Sequence, residues 1–334
     1  MEIFECENSS MRQPGSVGGC ITGAAGLSRM SSGGVLATGI GLPIAGRHAL
    51  GIARLDLMDG RRGRAGAAEA VIAGRDVSLQ ETLLAHERLA RDLKLAEQVQ
   101  HQFLPQSLPA IAGYAFFAYY HAAHEVGGDY YDFVPLLNGR LGIALGDVSG
   151  KGVAAALVMA KFSGDTRLKL QSEGSPSAAA AALNHALCDA AIDERYITLS
   201  LSILEASTGR LQLCSAGHPP MLLRRADGTV EAVGEPGRGL PLGIVRDTVY
   251  EQVEVLLRPG DVAVVYSDGV TDARSPTETL FDTRENRRLL QCIQAADGGP
   301  EAVGWAILRE VDEFSRGHAQ ADDLTLVCFG PAGQ

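Results

Sequence analysis

What most restricts this chain is a pair of answering stretches, each a carboxylate beside glycine at the end of an apolar, β-rich run. The first is Val126-Gly127-Gly128-Asp129-Tyr130-Tyr131-Asp132, preceded by the run 114–122. The second is Gly146-Asp147-Val148-Ser149-Gly150-Lys151-Gly152, preceded by 141–145. Gly-Asp and Asp-Gly dipeptides are common turn punctuation, so either stretch alone says little. Two more follow, at Ser267-Asp268-Gly269-Val270-Thr271-Asp272 and Asp322-Asp323-Leu324-Thr325. Aspartates at strand ends, with glycines clearing the space around them, suit hard divalent cations that take oxygen ligands. The fold must therefore bring strand ends from distant parts of the chain together.

From residue 106 to about 330 the pattern is β-rich. Strands are expected at 114–122, 130–134, 141–147, 196–204, 210–215, 220–225, 229–233, 249–256, 261–266 and 324–329. The turns between them are short: Asn138-Gly139, Ser207-Thr208-Gly209, Asp227-Gly228 and Pro259-Gly260. Helical periodicity marks 152–170, then 175–191 with Ser175 or Ser177 as cap, then 284–295 and 300–313. Short hairpins imply antiparallel sheets, and helices that come in pairs imply layers outside them. The expectation is an α+β domain of two packed sheets flanked by helix pairs. At roughly 230 residues it is long enough to bury a substantial core alone.

Upstream, residues 1–76 are dominated by Gly, Ala, Ser and Arg. They read as a weakly ordered segment or the remnant of a sensory domain. The glycines of 33–41 fit neither a dinucleotide loop nor a P-loop. Residues 77–105 read as a helical linker. Within it Leu79, Leu83, His86, Leu89, Leu93, Ala96, Val99 and Phe103 recur at helical spacing. Ser78 with Glu81 suggests a capping box at its start, and Pro105 ends it. The narrow stripe suits a two-stranded coiled coil, hence a homodimer through 78–103, as well as a plain surface helix.

The net charge of −11, without a basic cluster, argues against a nucleic-acid partner. The six cysteines form no C-x-x-C pair, which fits buried thiols of a reducing compartment better than a disulfide or zinc framework. No apolar run is long enough for a membrane span, and Glu2, Glu5 and Glu7 stand where a secretory signal would carry Lys or Arg. The expected location is the cytoplasm.

The motifs above, joined by Ser215-Ala216-Gly217-His218-Pro219-Pro220, stand in an order that resembles the SpoIIE/RsbU branch of the PPM (protein phosphatase 2C-like) serine/threonine phosphatases. The likeness covers about 93–330. It implies a four-layer α-β-β-α sandwich of two mainly antiparallel sheets, with two divalent cations, Mn²⁺ or Mg²⁺, between them. Carried over, Asp129, Asp147, Asp268, Asp322 and the backbone carbonyl of Val148 match the metal ligands. Asp323, Asp272, Gly128, Lys151 and His218 match positions around them. His218 stays open between catalytic and structural duty, and Lys151 between phosphate contact and solvated turn. Leu240-Pro241-Leu242-Gly243 resembles a substrate-side loop. The arginine that holds phosphate in relatives outside this branch has no counterpart here.

The implied activity is hydrolysis of phosphoserine or phosphothreonine by a water activated between two metals. The implied substrate is a bacterial signalling phosphoprotein, commonly an anti-anti-sigma (STAS-type) factor. Two other readings stay open: a two-metal phosphoesterase with a small-molecule substrate, and a non-catalytic regulatory module that keeps only the fold.

Overall fold

The structure is a computed structural model and describes residues 62–190, 195–234 and 239–332. Contacts divide the chain into Met1–Arg64 and Ala65–Gln334, and the described strands all lie in the second unit. The glycine-rich stretch 33–41 lies outside the described residues.

The first element is a helix, α1, at Arg62–His101. It begins well before the expected start. Ser78 is therefore interior to the helix and not at its start, and the boundary drawn at 76/77 falls inside a helix. The physical reason is that alanine, arginine and glutamate between 62 and 77 favour helix without any apolar period. The end agrees with expectation: Phe103 and Leu104 leave the helix by turn hydrogen bonds just before Pro105.

The strands are β1 (Tyr114–His121), β2 (Asp129–Pro135), β3 (Arg140–Val148), β4 (Ile197–Glu205), β5 (Arg210–Ala216), β6 (Met221–Arg224), β7 (Val230–Val233), β8 (Gln252–Leu256), β9 (Val262–Tyr266) and β10 (Leu324–Pro331). They form two five-stranded sheets, in the orders β1-β10-β9-β6-β7 and β2-β3-β4-β5-β8. Every pairing between these strands is antiparallel. The remaining helices are α2 (Val153–Ser172), α3 (Pro176–Ala190), the short α4 (Asp268–Thr271), α5 (Arg288–Ala295) and α6 (Pro300–Ser315). α2 and α3 cover the β2–β8 sheet, and α5 and α6 cover the other, which makes four layers. Ser175 caps α3, its Oγ accepting from the Ala178 N–H at 3.3 Å.

β10 shows why some strands read as unbroken apolar runs. Leu324, Leu326 and Cys328 pack under α5 and α6, while Val327 and Phe329 enter the core between the sheets. A strand covered on both faces has no polar side to alternate with. Thr325 breaks the run and faces inward, which the site below explains.

Two connections differ from a plain reading of turns. Pro259-Gly260 joins β8 to β9, yet β8 pairs with β5 in one sheet and β9 with β10 and β6 in the other. The Gly217-His218-Pro219-Pro220 stretch likewise carries the chain from β5 to β6 across the layers. Gly217 has φ 70° there, and a Cβ would stand 2.4 Å from Pro241 Cγ, so only glycine fits. Asn138-Gly139, by contrast, makes the expected hairpin turn, with φ 60° and 69°.

Candidate metal centre

Antiparallel pairing puts the start of one strand beside the end of the next. Asp129 opens β2 and Asp147 lies near the end of β3, and the register sets them directly opposite each other. In the second sheet Asp268 follows β9 and Asp322 precedes β10, neighbours for the same reason. The sequence-derived ligands thus arrive in two pairs, one from each sheet.

Burial and mutual repulsion mark the cluster. Asp129 is 1% exposed, and its carboxyl is pushed well above the usual range by burial and then by Asp147. Thr325 Oγ1 donates to Asp129 Oδ2 at 2.5 Å and opposes that rise. Asp147 is pushed up to about 7, first by burial, then by Asp268, Asp322 and Asp323, with Lys151 acting the other way. Asp268 rises to about 6 through burial, Asp322 and Asp272, again against Lys151. Burial and like charge together disfavour the ionised form of these carboxylates, and cations beside them would relieve both.

The donor chemistry fits hard cations. Gly128 matters because a Cβ there would stand 3.0 Å from the Val148 carbonyl oxygen and crowd it. Among the described residues no three acidic, histidine or cysteine side chains close on one point.

The surrounding residues divide by geometry. Asp323 serves the backbone: Oδ1 accepts from Ala123 N at 2.8 Å, and Oδ2 from Gly128 N at 2.6 Å. It ties the loop before Asp129 to the start of β10. Asp322 Oδ2 instead meets Lys151 Nζ at 2.8 Å. Asp272 is exposed, its N–H donating to the Asp268 carbonyl at 2.7 Å. His218 is fully buried, its Nδ1 2.8 Å from Thr198 Oγ1, and Thr198 is the β4 partner of Asp147. The imidazole therefore reaches, from the crossover, the β4 residue that pairs with Asp147. Leu242 is bonded to Ile197 in both directions, at 3.0 and 2.8 Å, so that loop is sewn to the start of β4.

Three contributors were not singled out from the sequence, although Ser267 and Thr325 stand inside the motifs. Gln100, buried in the last turn of α1, holds Gly127 at both ends: Nε2 donates to its carbonyl at 2.7 Å and Oε1 accepts from its N–H at 3.0 Å. Ser267 Oγ donates to Asp323 O at 3.1 Å and accepts from Thr325 N at 3.0 Å, joining the two acidic ends of the second sheet. Thr325 supports Asp129. The one available signal was a polar residue on an otherwise inward-facing position, as at Gln100 and Thr325.

Two stacked antiparallel sheets between helix pairs, with acidic strand ends gathered at their mouth, define a PP2C-type phosphatase fold. The sequence profile of Stage II sporulation protein E (SpoIIE) matches residues 138–330, more than half of the chain, and the chain belongs to that family. It is 31% identical over 208 residues to phosphoserine phosphatase RsbU of Bacillus subtilis, covering 61% of this chain and 60% of that protein. It is 27% identical over 263 residues to protein IcfG of Synechocystis sp., covering 71% of this chain and 41% of that one. The chain thus spans less than two thirds of either relative. Among solved structures, the SiaA-PP2C domain of Pseudomonas aeruginosa superposes with TM-score 0.63 at 21% identity, covering 74% of this chain and 98% of that one. The RsbU and RsbW domains of a Mycobacterium tuberculosis protein superpose with TM-score 0.58 at 27% identity, covering 70% and 64%.

Proposed function

We propose that this chain is a metal-dependent protein serine/threonine phosphatase, acting on a phosphorylated signalling protein of the STAS-type anti-anti-sigma class. The observation that carries the reading is the convergence of Asp129, Asp147, Asp268 and Asp322 from two sheets, with burial and mutual repulsion raising three of them. Similarity to proteins named phosphoserine phosphatase, RsbU and RsbP, supports the reaction class. A related fold, RsbX, has been solved in complex with magnesium, which supports Mg²⁺ or Mn²⁺ here.

Asp129, Asp147 and the Val148 carbonyl would hold one cation, and Asp268 and Asp322 would complete the second. Such cations supply a water of lowered pKa and neutralise phosphoryl oxygens. The chain's own part is placement. Thr325 and Asp323 orient Asp129 and the Gly128 backbone, Ser267 fixes the Asp268–Asp323 edge, and Gln100 pins Gly127. His218 serves the crossover between sheets. No protein nucleophile is invoked; burial pushes the Cys214 and Cys292 thiols up, to about 12 and about 11, away from thiolate chemistry. The free thiols also suit the cytoplasm. No described helix is long and apolar enough to cross a membrane.

The second partner proposed is another copy of the chain. On α1, Leu79, Leu83, Leu89 and Val99 are each more than half exposed, so the stripe is left for a partner helix.

The deciding experiment assays a phosphorylated STAS protein and p-nitrophenyl phosphate side by side, with and without Mn²⁺. Metal-dependent turnover of the phosphoprotein is expected. Turnover of the small ester alone would favour a small-molecule phosphoesterase, and none of either would leave a binding module.

A further inference from the structure

We propose that Lys151 grips the phosphoryl group of the substrate. This inference rests on the phosphatase reading above.

The geometry is specific. Lys151 stands between Gly150 and Gly152, whose φ values of 90° and 71° belong to the region that favours glycine. The chain is thereby bent just before α2, and the ammonium crosses from the end of β3 to the segment before β10. There Nζ meets Asp322 Oδ2 at 2.8 Å and the Ala321 carbonyl at 2.5 Å. Among the described residues it is the lysine or arginine that bonds one of the four aspartates.

The base of this arm is anchored. Ser149 N donates to Tyr196 O at 2.9 Å, and Tyr196 N donates to Ser149 Oγ at 3.0 Å. Arg195 Nη1 donates to the Ser149 carbonyl at 2.6 Å, and a Cβ on Gly150 would stand 2.5 Å from that nitrogen. A side chain at 150 would have to move the Arg195 guanidinium aside and would strain the backbone at its φ of 90°.

An ammonium has three N–H donors. Two are used, and the side chain is 48% exposed, so the third is open to an incoming anion. A phosphate dianion approaching Asp147, Asp268 and Asp322 meets repulsion wherever bound cations do not cover them. A compact, tethered positive charge at the rim lowers that barrier and bonds a phosphoryl oxygen directly. The competing role, a salt bridge that merely props Asp322, predicts something different and is separable.

The test compares the parent with Lys151→Met, which keeps the length and loses the charge, and Lys151→Arg, which keeps the charge. Inorganic phosphate is titrated into Mn²⁺-loaded protein by calorimetry, and Mn²⁺ affinity is titrated separately. Lys151→Met should weaken phosphate binding by about 10- to 100-fold, the loss expected for one charge-assisted hydrogen bond. Mn²⁺ affinity should hardly change, and Lys151→Arg should recover most of the phosphate affinity. Unchanged phosphate affinity in Lys151→Met, or Mn²⁺ affinity that falls in step with it, overturns the proposal. A parent that binds phosphate but turns over no phosphoester would refute the phosphatase reading instead, with the Lys151 comparison still read by calorimetry.

Discussion

Replacing Asp147 by Asn should make the chelator-treated protein more stable while removing its activity. The Asp147 carboxyl is pushed up to about 7 in the folded chain, from an ordinary 3.8, by burial and then by Asp268, Asp322 and Asp323. A carboxyl whose folded pKa is raised favours the folded state when protonated. Its cost to folding is absent below about 3.8, grows through the interval up to about 7 and is complete above it. At 1.36 kcal/mol per pH unit, that cost reaches about 4 kcal/mol at pH 8. A buried amide imposes a desolvation cost of its own, about 1–2 kcal/mol, so the net gain is about 2–3 kcal/mol. For a domain of this size that raises Tm by about 5–10 °C.

Scanning calorimetry with a chelator, at pH 8 and again at pH 5, measures it. The Asn variant should melt higher than the parent at pH 8, and the gap should shrink at pH 5. Adding Mn²⁺ should close most of the gap, because a cation at 100 times its Kd stabilises the parent by about 2.7 kcal/mol and the variant by less. A variant no more stable than the parent at pH 8 with chelator would refute the claim that burial and neighbouring carboxylates make the ionised Asp147 costly to the fold. Parent-like Mn²⁺-dependent turnover by the variant would refute Asp147 as a ligand.

Other perturbations probe the supports. Asp132 is fully buried and takes Arg167 Nε at 2.5 Å and Nη2 at 2.9 Å, beside Tyr130 Oη at 2.6 Å. Arg167→Met should cost about 3 kcal/mol, the low end for a broken buried pair because Arg167 itself is half exposed, and lower Tm by roughly 6–12 °C. A melting curve that does not move would show the pair to be idle. Gln100→Leu keeps the volume but leaves both Gly127 groups without their partner; Mn²⁺ affinity by calorimetry should fall several-fold while α1 stays helical by circular dichroism. Leu89→Asp with Leu93→Asp should lower the dimer fraction in sedimentation and Mn²⁺ affinity together. A monomer that binds Mn²⁺ like the parent would leave α1 a mere linker.

The alternation of apolar runs with Asn138-Gly139, Asp227-Gly228 and similar turns was enough to mark ten strands and two pairs of helices. The glycine-flanked aspartates marked the site. These features are local: turn type, side-chain period and capping act within a few residues. The start of α1 was misplaced because 62–77 is helical without an apolar stripe, so no period announces it. The short α4 was hidden inside Ser267-Asp268-Gly269, where a single turn of helix looks like a loop.

Other facts had no local signal at all. Pro259-Gly260 looks like a hairpin turn, yet only the packing of two sheets sends β8 to one and β9 to the other. Asp322 and Asp323 are adjacent and chemically alike. Their division, one to Lys151 and the cluster, the other to the backbone of Ala123 and Gly128, follows from where β10 sits beside β1 and β9. Gln100 and Thr325 became site residues only when α1 and β10 were brought against strand ends from elsewhere in the chain. The sequence by itself determined which segments are strands, where they turn and which residue types could bind a cation, because those depend on neighbours along the chain. Tertiary structure decided which carboxylates face one another and what holds them, because burial and repulsion depend on distance in space.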